Sequence, residues 1–480
     1  MRSPLNARAG KLPGLATNKY SWIAMLLLWL LLAMNDNMRY WTTGVLQPSI
    51  VNEFQVGPEL IGIFAGAMTV AQGLLAIPLT VWSDRGGHGW ARKYRYVIIL
   101  AAYTVFTLLT GISALTASFG VFFIFQALNK VFSGAGEAIE VTAVAEWWPL
   151  EKRGFAVGLH HTAVPWGTFL GGLAVSLVFT VFGPENWRWT LLIPVILIAP
   201  VVLAYWRFSS SRNYGQFEES VRRQGGTPPL KASGEEAVKP PKGALLRAFR
   251  NPNLMTTSIT AGLALAVYTG ISLWLPLYLA FVANYSLAEV AAFSVLFTLT
   301  GGIGQIVWGG VSDRIGRKPT LVITFVWVAV GVFLLQFIGE GIIWLILIQL
   351  FLGMATNGIY PILYAFSSDS SEPGAIGLGN GLNMTGQMLG GLGPVVLGVL
   401  IAAGGGFSSP DGFLWGLYFM AGVMLLGALA IILFTRESVG SFKRRDRSLV
   451  KLENCLPDPK IRNQDLPRQE ETADASALAN

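Results

Sequence analysis

Lys130 and Glu137 stand seven residues apart in a stretch that is otherwise apolar and glycine-rich, and Asp36 and Arg39 stand three apart in another. At helical spacing each pair stacks on one face, so two separate helices each offer an acid and a base. A charge at bilayer depth costs about 2.5 to 3.5 kcal/mol even on insertion scales, so such groups persist where they bind a substrate, an ion or each other. Arg39 carries a planar fork suited to a carboxylate or phosphate, whereas Lys130 is a compact point charge. Glu137 lies near mid-depth, and Asp36 is the acid of the other pair. The plainer alternative is that Lys130 and Glu137 only satisfy one another.

Other polar residues in apolar surroundings are weighed in the same way. Glu140 shares the stripe of Glu137, Gly134 and Gly136 let a neighbouring helix come close, and Glu146 is expected to snorkel at a helix end. His160 and His161 are adjacent and therefore face different directions, which argues against a shared metal site and suggests interfacial polar residues, or secondly a proton relay. Tyr268, Trp274, Asn383 and Gln387 are the candidate cavity groups of the second half, Asn383 and Gln387 being one turn apart on one face. The glycines from Gly386 to Gly398 around Pro394 predict close packing and bending there.

The elements that must hold these residues are transmembrane helices. A chain of 480 residues that is 53% hydrophobic and 13% charged cannot hide its apolar surface in one water-soluble core. Apolar runs fall at 21–46, 60–82, 96–115, 119–147, 155–181, 189–206, 254–281, 287–311, 320–338, 342–366, 375–403 and 414–434. Each is near or above the roughly 20 residues a span requires. Runs of that length are helices and not the short alternating strands of a barrel. The fold class expected is an all-α membrane protein of twelve helices in two six-helix bundles.

Only Arg188 falls in a loop on one face, Arg39 and Lys130 fall inside spans, and the other 31 of the 34 Lys and Arg lie in loops and tails of the opposite face. That bias predicts both termini on the cytoplasmic side of an inner (plasma) membrane. The formal charge of +7 is then an orientation signal. Anionic lipid headgroups are its expected partners and nucleic acid is not. The basic start and first apolar run resemble a secretory leader, but the run lacks a small-x-small cleavage site and is expected to stay as helix 1. The single cysteine, Cys455, excludes a disulfide and a cysteine metal site, and no cofactor is expected.

The expected organisation is a tail at 1–20, a bundle at 21–206, a polar linker at 207–253, a second bundle at 254–434 and a tail at 435–480 that reads as disordered. The halves echo each other. Trp82-Ser-Asp84-Arg85-Gly-Gly87 and Gly310-Val-Ser-Asp313-Arg314-Ile-Gly316-Arg317-Lys318 close corresponding helices at an offset of 229 residues, and the same offset carries Pro165 onto Pro394 and Arg39 onto Tyr268.

Gly309-x-x-x-Asp313-Arg314-x-Gly316-Arg317-Lys318 resembles the loop signature of the major facilitator superfamily in full, and Asp84-Arg85-x-Gly87 resembles its N-terminal copy in part, with Thr80 in place of a glycine. The resemblance implies two rocking bundles, with Asp84, Arg85, Asp313 and Arg314 as gating residues. An acid at the end of helix 2 facing the N-terminus of helix 11, near Ala375, would hold the basic face shut.

Asn129-Lys130-x-x-x-Gly134-x-Gly136-Glu137-Ala138, followed by Ala145-Glu146-Trp147-Trp148-Pro149-x-Glu151-Lys152-Arg153-Gly154, resembles the anion:cation symporter family. This implies transport of a small organic anion with protons, acting as a monomer, with Arg39, Lys130, Glu137 and Asn383 matching the family's substrate and proton positions. The resemblance makes Glu137 the residue that accepts the coupling proton. The family often has Asp where this chain has Met38, so Asp36 is the expected substitute acid in proton coupling, and it usually has Arg where this chain has Lys130. Sugar acids, aromatic carboxylates, dicarboxylates and small organophosphates all suit two cations. Competing functions are an exporter of drugs or amphiphiles, a membrane-embedded enzyme, for which no nucleophile-base-acid set is present, and a transport-derived sensor.

Overall fold

The computed structural model describes residues 18–40, 44–75, 78–79, 82–83, 89–113, 118–149, 152–226, 228–229, 243–372 and 376–438, without the side chains of 36–40, 138, 153–154 and 376–378. All of its regular structure is helical; no strand occurs among the described residues. The spans are α1 (Lys19–Tyr40), α2 (Pro58–Leu74), α3 (Lys93–Ser113), α4 (Phe119–Glu146), α5 (Arg153–His161, resumed at Ala163–Phe182) and α6 (Trp189–Phe208). The second bundle follows as α7 (Pro252–Phe281), α8 (Leu287–Phe293, then Leu296–Ile315), α9 (Arg317–Leu334), α10 (Ile342–Thr356, then Ile359–Ser370), α11 (Ile376–Gln387, then Leu392–Ala403) and α12 (Pro410–Phe434).

Nine of these are long and apolar enough to cross a membrane by length and composition among the described residues. The other three have identifiable reasons to fall short. Stretches 19–35 and 58–74 are apolar but short within the described chain, and α4 carries Lys130, Glu137 and Glu140.

Local chemistry sets the ends. Asn251 caps α7 by accepting from Asn253 N at 3.0 Å, with Pro252 in the first turn. Ser286 and Glu289 form a reciprocal capping box at α8. The glycine-rich centre of α11 tightens to a 3-10 turn at Met388–Gly391, the bend that its composition predicts.

The linker is more structured than its polarity suggests. Ser211–Arg223 forms a helix whose Tyr214, Phe217 and Val221 are buried, the first two ring-packed on Trp147 at 5.1 and 5.6 Å. Ala244–Arg250 forms a second helix directly before α7. The tail expected to be disordered lies almost wholly outside the described residues.

The two bundles meet through small residues toward the face opposite the basic one. A methyl added at Gly62 of α2 would come within 2.5 Å of the Pro394 carbonyl of α11, and one at Gly66 within 2.7 Å of Val395. At Gly172 of α5 it would lie 2.6 Å from the Ala291 carbonyl of α8. Deeper in, Trp166 Nε1 donates to the Leu299 carbonyl at 3.2 Å. The basic-face ends of the same helices are different: a methyl at Gly158 (α5), Gly309 or Gly310 (α8), or Gly381 (α11) would meet nothing within 4 Å. Among the described residues the helix ends are crowded on one side and uncrowded at these four glycines on the other, the contrast that a cleft directed toward the basic face would give.

Candidate functional site

α4 runs 28 residues without a break after Ser118 accepts from Val121 N at 3.4 Å, so Lys130, Glu137 and Glu140 are fixed on one rigid rod. Lys130 is only 3% exposed. Glu137 is half-buried. It is within electrostatic reach of His160 and His161 on α5 and of Tyr364 on α10. Gln387 on α11 donates through Nε2 to the Tyr364 hydroxyl at 3.0 Å. One turn before Tyr364, Tyr360 lies near the phenols of both Tyr364 and Tyr268, and the Tyr268 ring packs edge-on against Phe297 at 5.9 Å. Three residues picked singly from the sequence, Glu137, Tyr268 and Gln387, are thus joined by two tyrosines that sequence reasoning missed.

Asn383, one turn before Gln387, is 1% exposed. Neither of its amide atoms has a hydrogen-bond partner among the described residues. A buried amide in that state costs about 1 to 3 kcal/mol unless a ligand or water completes it. The side chains of Asp36 and Arg39 lie outside the described residues.

Several expectations are corrected. Glu140 does not share the face of Glu137: it is fully buried inside the first bundle, where the Tyr96 hydroxyl of α3 donates to it and the Tyr205 ring of α6 packs edge-on to Tyr96 at 5.7 Å. Three residues leave a helix about 60° short of a full turn, enough to turn Glu140 inward. His160, expected as an interfacial polar residue, is fully buried within the protein and within electrostatic reach of Glu137. Trp274 is no cavity group, since its Nε1 donates to the Phe413 carbonyl at 2.8 Å and its ring stacks on Tyr278 at 4.6 Å.

At the basic face the expected gating residues divide. Asp84 and Arg85 lie outside the described residues, as do Ala375 and the proposed contact of Asp84 with it. Asp313 accepts a contact from Arg317 at 2.6 Å and is 66% exposed through its side chain, and Arg314 is exposed. The stronger partner in this loop is Arg317, which donates to Asp369 at the end of α10 at 3.1 Å and to Ser312 at 2.6 Å. Glu437 caps α9, accepting from the amides of Arg317 and Lys318, each at 2.9 Å.

The first bundle repeats the arrangement in buried form. Arg92 donates to Glu146 at 2.6 and 2.8 Å and faces Ser83 at 3.5 Å. The pair is 4% and 5% exposed, so Glu146 does not snorkel. Superposing the two carboxylates gives an offset of 223 residues, which carries Glu137 onto Tyr360. The sequence-level offset of 229 came from the loop, where His88–Ala91 is inserted, and so did not reveal it.

The family model of the Major Facilitator Superfamily matches residues 28–301 and 284–461, across both bundles. The chain belongs to this superfamily.

Among curated members, the glucose-6-phosphate exchanger SLC37A2 of Mus musculus is 26% identical over 351 residues, covering 67% of this chain and 69% of its own. An Arabidopsis thaliana protein provisionally named glycerol-3-phosphate transporter 1 is 26% identical over 338 residues, covering 64% and 63%. Among solved structures, a bacterial homologue of the human lysosomal transporter Spinster, inward-facing and occupied, shares the fold with a TM-score of 0.67 at 16% identity, covering 87% of this chain and 97% of its own. The two curated relatives are named for phosphate esters, where the sequence motifs resembled the anion:cation symporters.

Proposed function

We propose that this superfamily member carries small organic anions across an inner (plasma) membrane by alternating access, with a phosphate monoester of a sugar or of glycerol as its principal cargo. The carrying observation is Lys130, a cation 3% exposed in the middle of a 28-residue span. Together with Arg39 on α1 it supplies positive charge for the acidic end of the cargo. The second bundle offers neutral groups instead, the Tyr268 phenol and the amides of Asn383 and Gln387, suited to hydroxyls. Uneven cation placement would orient a molecule with a charged end and a polyhydroxyl body across the cleft. The bias of Lys and Arg supports a cytoplasmic basic face, so the described state would be open to the cytoplasm.

The proximity of Glu137 to His160 and His161 favours a second reading, in which a carboxylate enters with a proton carried by Glu137. The two separate in proteoliposomes. Phosphate-loaded vesicles that take up a labelled sugar phosphate without a pH gradient support the first. Uptake of sugar acids alone, driven only by an inward proton gradient, would replace it by the second.

A further inference from the structure

The helix Ala244–Arg250, at the end of an otherwise polar linker, has three distinct sides. Ala244 and Ala248 are buried, Ala248 in a small cluster with Leu254 of α7 and Leu382 of α11. At roughly 3.6 residues per turn, Leu245, Leu246 and Phe249 share the opposite side, and they are 54%, 57% and 50% exposed. Arg247 and Arg250 fall between these two sides. The helix passes through the Asn251 cap straight into α7, so its exposed leucines and phenylalanine lie at the depth where a span begins.

Beside it is an open groove of about 500 Å³ lined by Arg247, Arg250, Asn251, Pro252, Asn253 and Arg436. Arg247 is committed to Glu372, donating at 2.7 and 2.9 Å. Arg250 and Arg436 are not: neither guanidinium has a hydrogen-bond or ion-pair partner among the described residues, although the Arg436 amide donates to Asn253 at 2.8 Å. Two unpaired forks beside an apolar strip suit a phosphodiester carrying acyl chains, while a free phosphate would leave the strip unused.

We propose that this groove seats the phosphate of an anionic membrane phospholipid, with Arg250 and Arg436 on the headgroup and Leu245, Leu246 and Phe249 against its acyl chains. The site lies on the surface of the second bundle, apart from the transport cleft, and does not depend on which anion is carried. Each arginine near an anionic surface contributes about fivefold in affinity, so removing both should weaken binding roughly 25-fold.

The test uses the full chain in nanodiscs of phosphatidylcholine with or without phosphatidylglycerol, read by thermal unfolding and by native mass spectrometry of retained lipid. Wild type should unfold at a higher temperature with phosphatidylglycerol and retain it. R250Q/R436Q should match wild type in phosphatidylcholine alone and lose both effects. A double variant that keeps the phosphatidylglycerol shift overturns the proposal. So does a shift of wild type by inorganic phosphate in phosphatidylcholine discs that R250Q/R436Q removes, which would mark a soluble-anion site in the groove; a phosphate shift that the double variant keeps belongs to the transport cleft. If R250Q/R436Q does not fold, L246S/F249S carries the test, and retention of phosphatidylglycerol undiminished by it is likewise fatal.

Discussion

Gln387 on α11 donates to the Tyr364 hydroxyl on α10 at 3.0 Å, and the same phenol lies within electrostatic reach of Glu137 in the other bundle. One hydroxyl therefore faces both the acid of the first half and the amide of the second. Y364F keeps the ring and removes that group. With that hydroxyl placed on the cargo's path, loss of one hydrogen bond predicts a KM for the transported anion raised about fivefold, and loss of the Gln387 contact predicts a small fall in the unfolding temperature. Exchange kinetics in proteoliposomes, set beside a melting curve, measure both; an unaltered KM would place Tyr364 outside the cargo's path.

Glu137 and Lys130 should separate by function. E137Q is isosteric and leaves Lys130 in place, so one-for-one exchange of labelled for unlabelled anion should continue while acceleration by an inward proton gradient disappears. K130A removes a buried cation from α4 and should abolish exchange itself. Tracer exchange with and without a pH gradient distinguishes them. Persisting gradient-driven uptake in E137Q would remove the acid from the coupling step.

The fold was legible because its signal is redundant: twelve apolar runs, a one-sided distribution of Lys and Arg, and a loop motif that recurs. Side-chain direction was not. Glu137 and Glu140 differ by three residues, yet one is within electrostatic reach of Tyr364 in the other bundle and the other meets Tyr96, because the packing of α3 and α6 decides which side of α4 is interior. Tyr360 and Tyr364 escaped notice because neutral aromatics are common in spans and carry no charge to flag them. The ion pairs of Arg92 with Glu146 and of Arg317 with Asp369 join residues 54 and 52 positions apart, which no local pattern encodes.

The buried pair of Arg92 with Glu146 and the exposed pair of Arg317 with Asp313 should differ sharply in stability. Arg92 and Glu146 are nearly water-free, so E146Q leaves a buried guanidinium short of its counter-charge and is expected to cost about 3 to 5 kcal/mol. Asp313 is 66% exposed in its contact with Arg317, and D313N should cost about 0 to 1 kcal/mol. Urea unfolding in detergent compares them; equal losses would contradict the burial difference.

Gly66 tests the direction of opening. A side chain there meets Val395 at 2.7 Å before it is longer than a methyl, and overpacking costs about 1 to 3 kcal/mol in the state where α2 and α11 touch. G66L should shift the population away from the cleft that opens on the basic face. A cysteine at Gly158, where nothing lies within 4 Å, reports that opening in a C455S background. Maleimide labelling of G158C from the basic side should fall severalfold when G66L is added, and unchanged labelling would mean the α2–α11 contact does not set the conformation.

Glu372 supplies the pH-dependent contact. Hydrogen bonds from the Arg247 guanidinium hold its carboxyl below the ordinary value of 4.5. A carboxylate depressed in the fold contributes its stabilisation above the ordinary value and loses it as the pH falls through the lowered one. Arg247 stays protonated throughout, so the contact that ties helix Ala244–Arg250 to the end of α10 is intact at neutral pH and released only in acid. Both side chains are exposed, so global stability should barely move. Hydrogen exchange of residues 244–250 should therefore stay slow through the neutral range and quicken, after correction for intrinsic rates, only in acid. E372Q should exchange at neutral pH as fast as acidified wild type does, and slow exchange in that variant would show that the buried faces of Ala244 and Ala248 hold the helix without the ion pair.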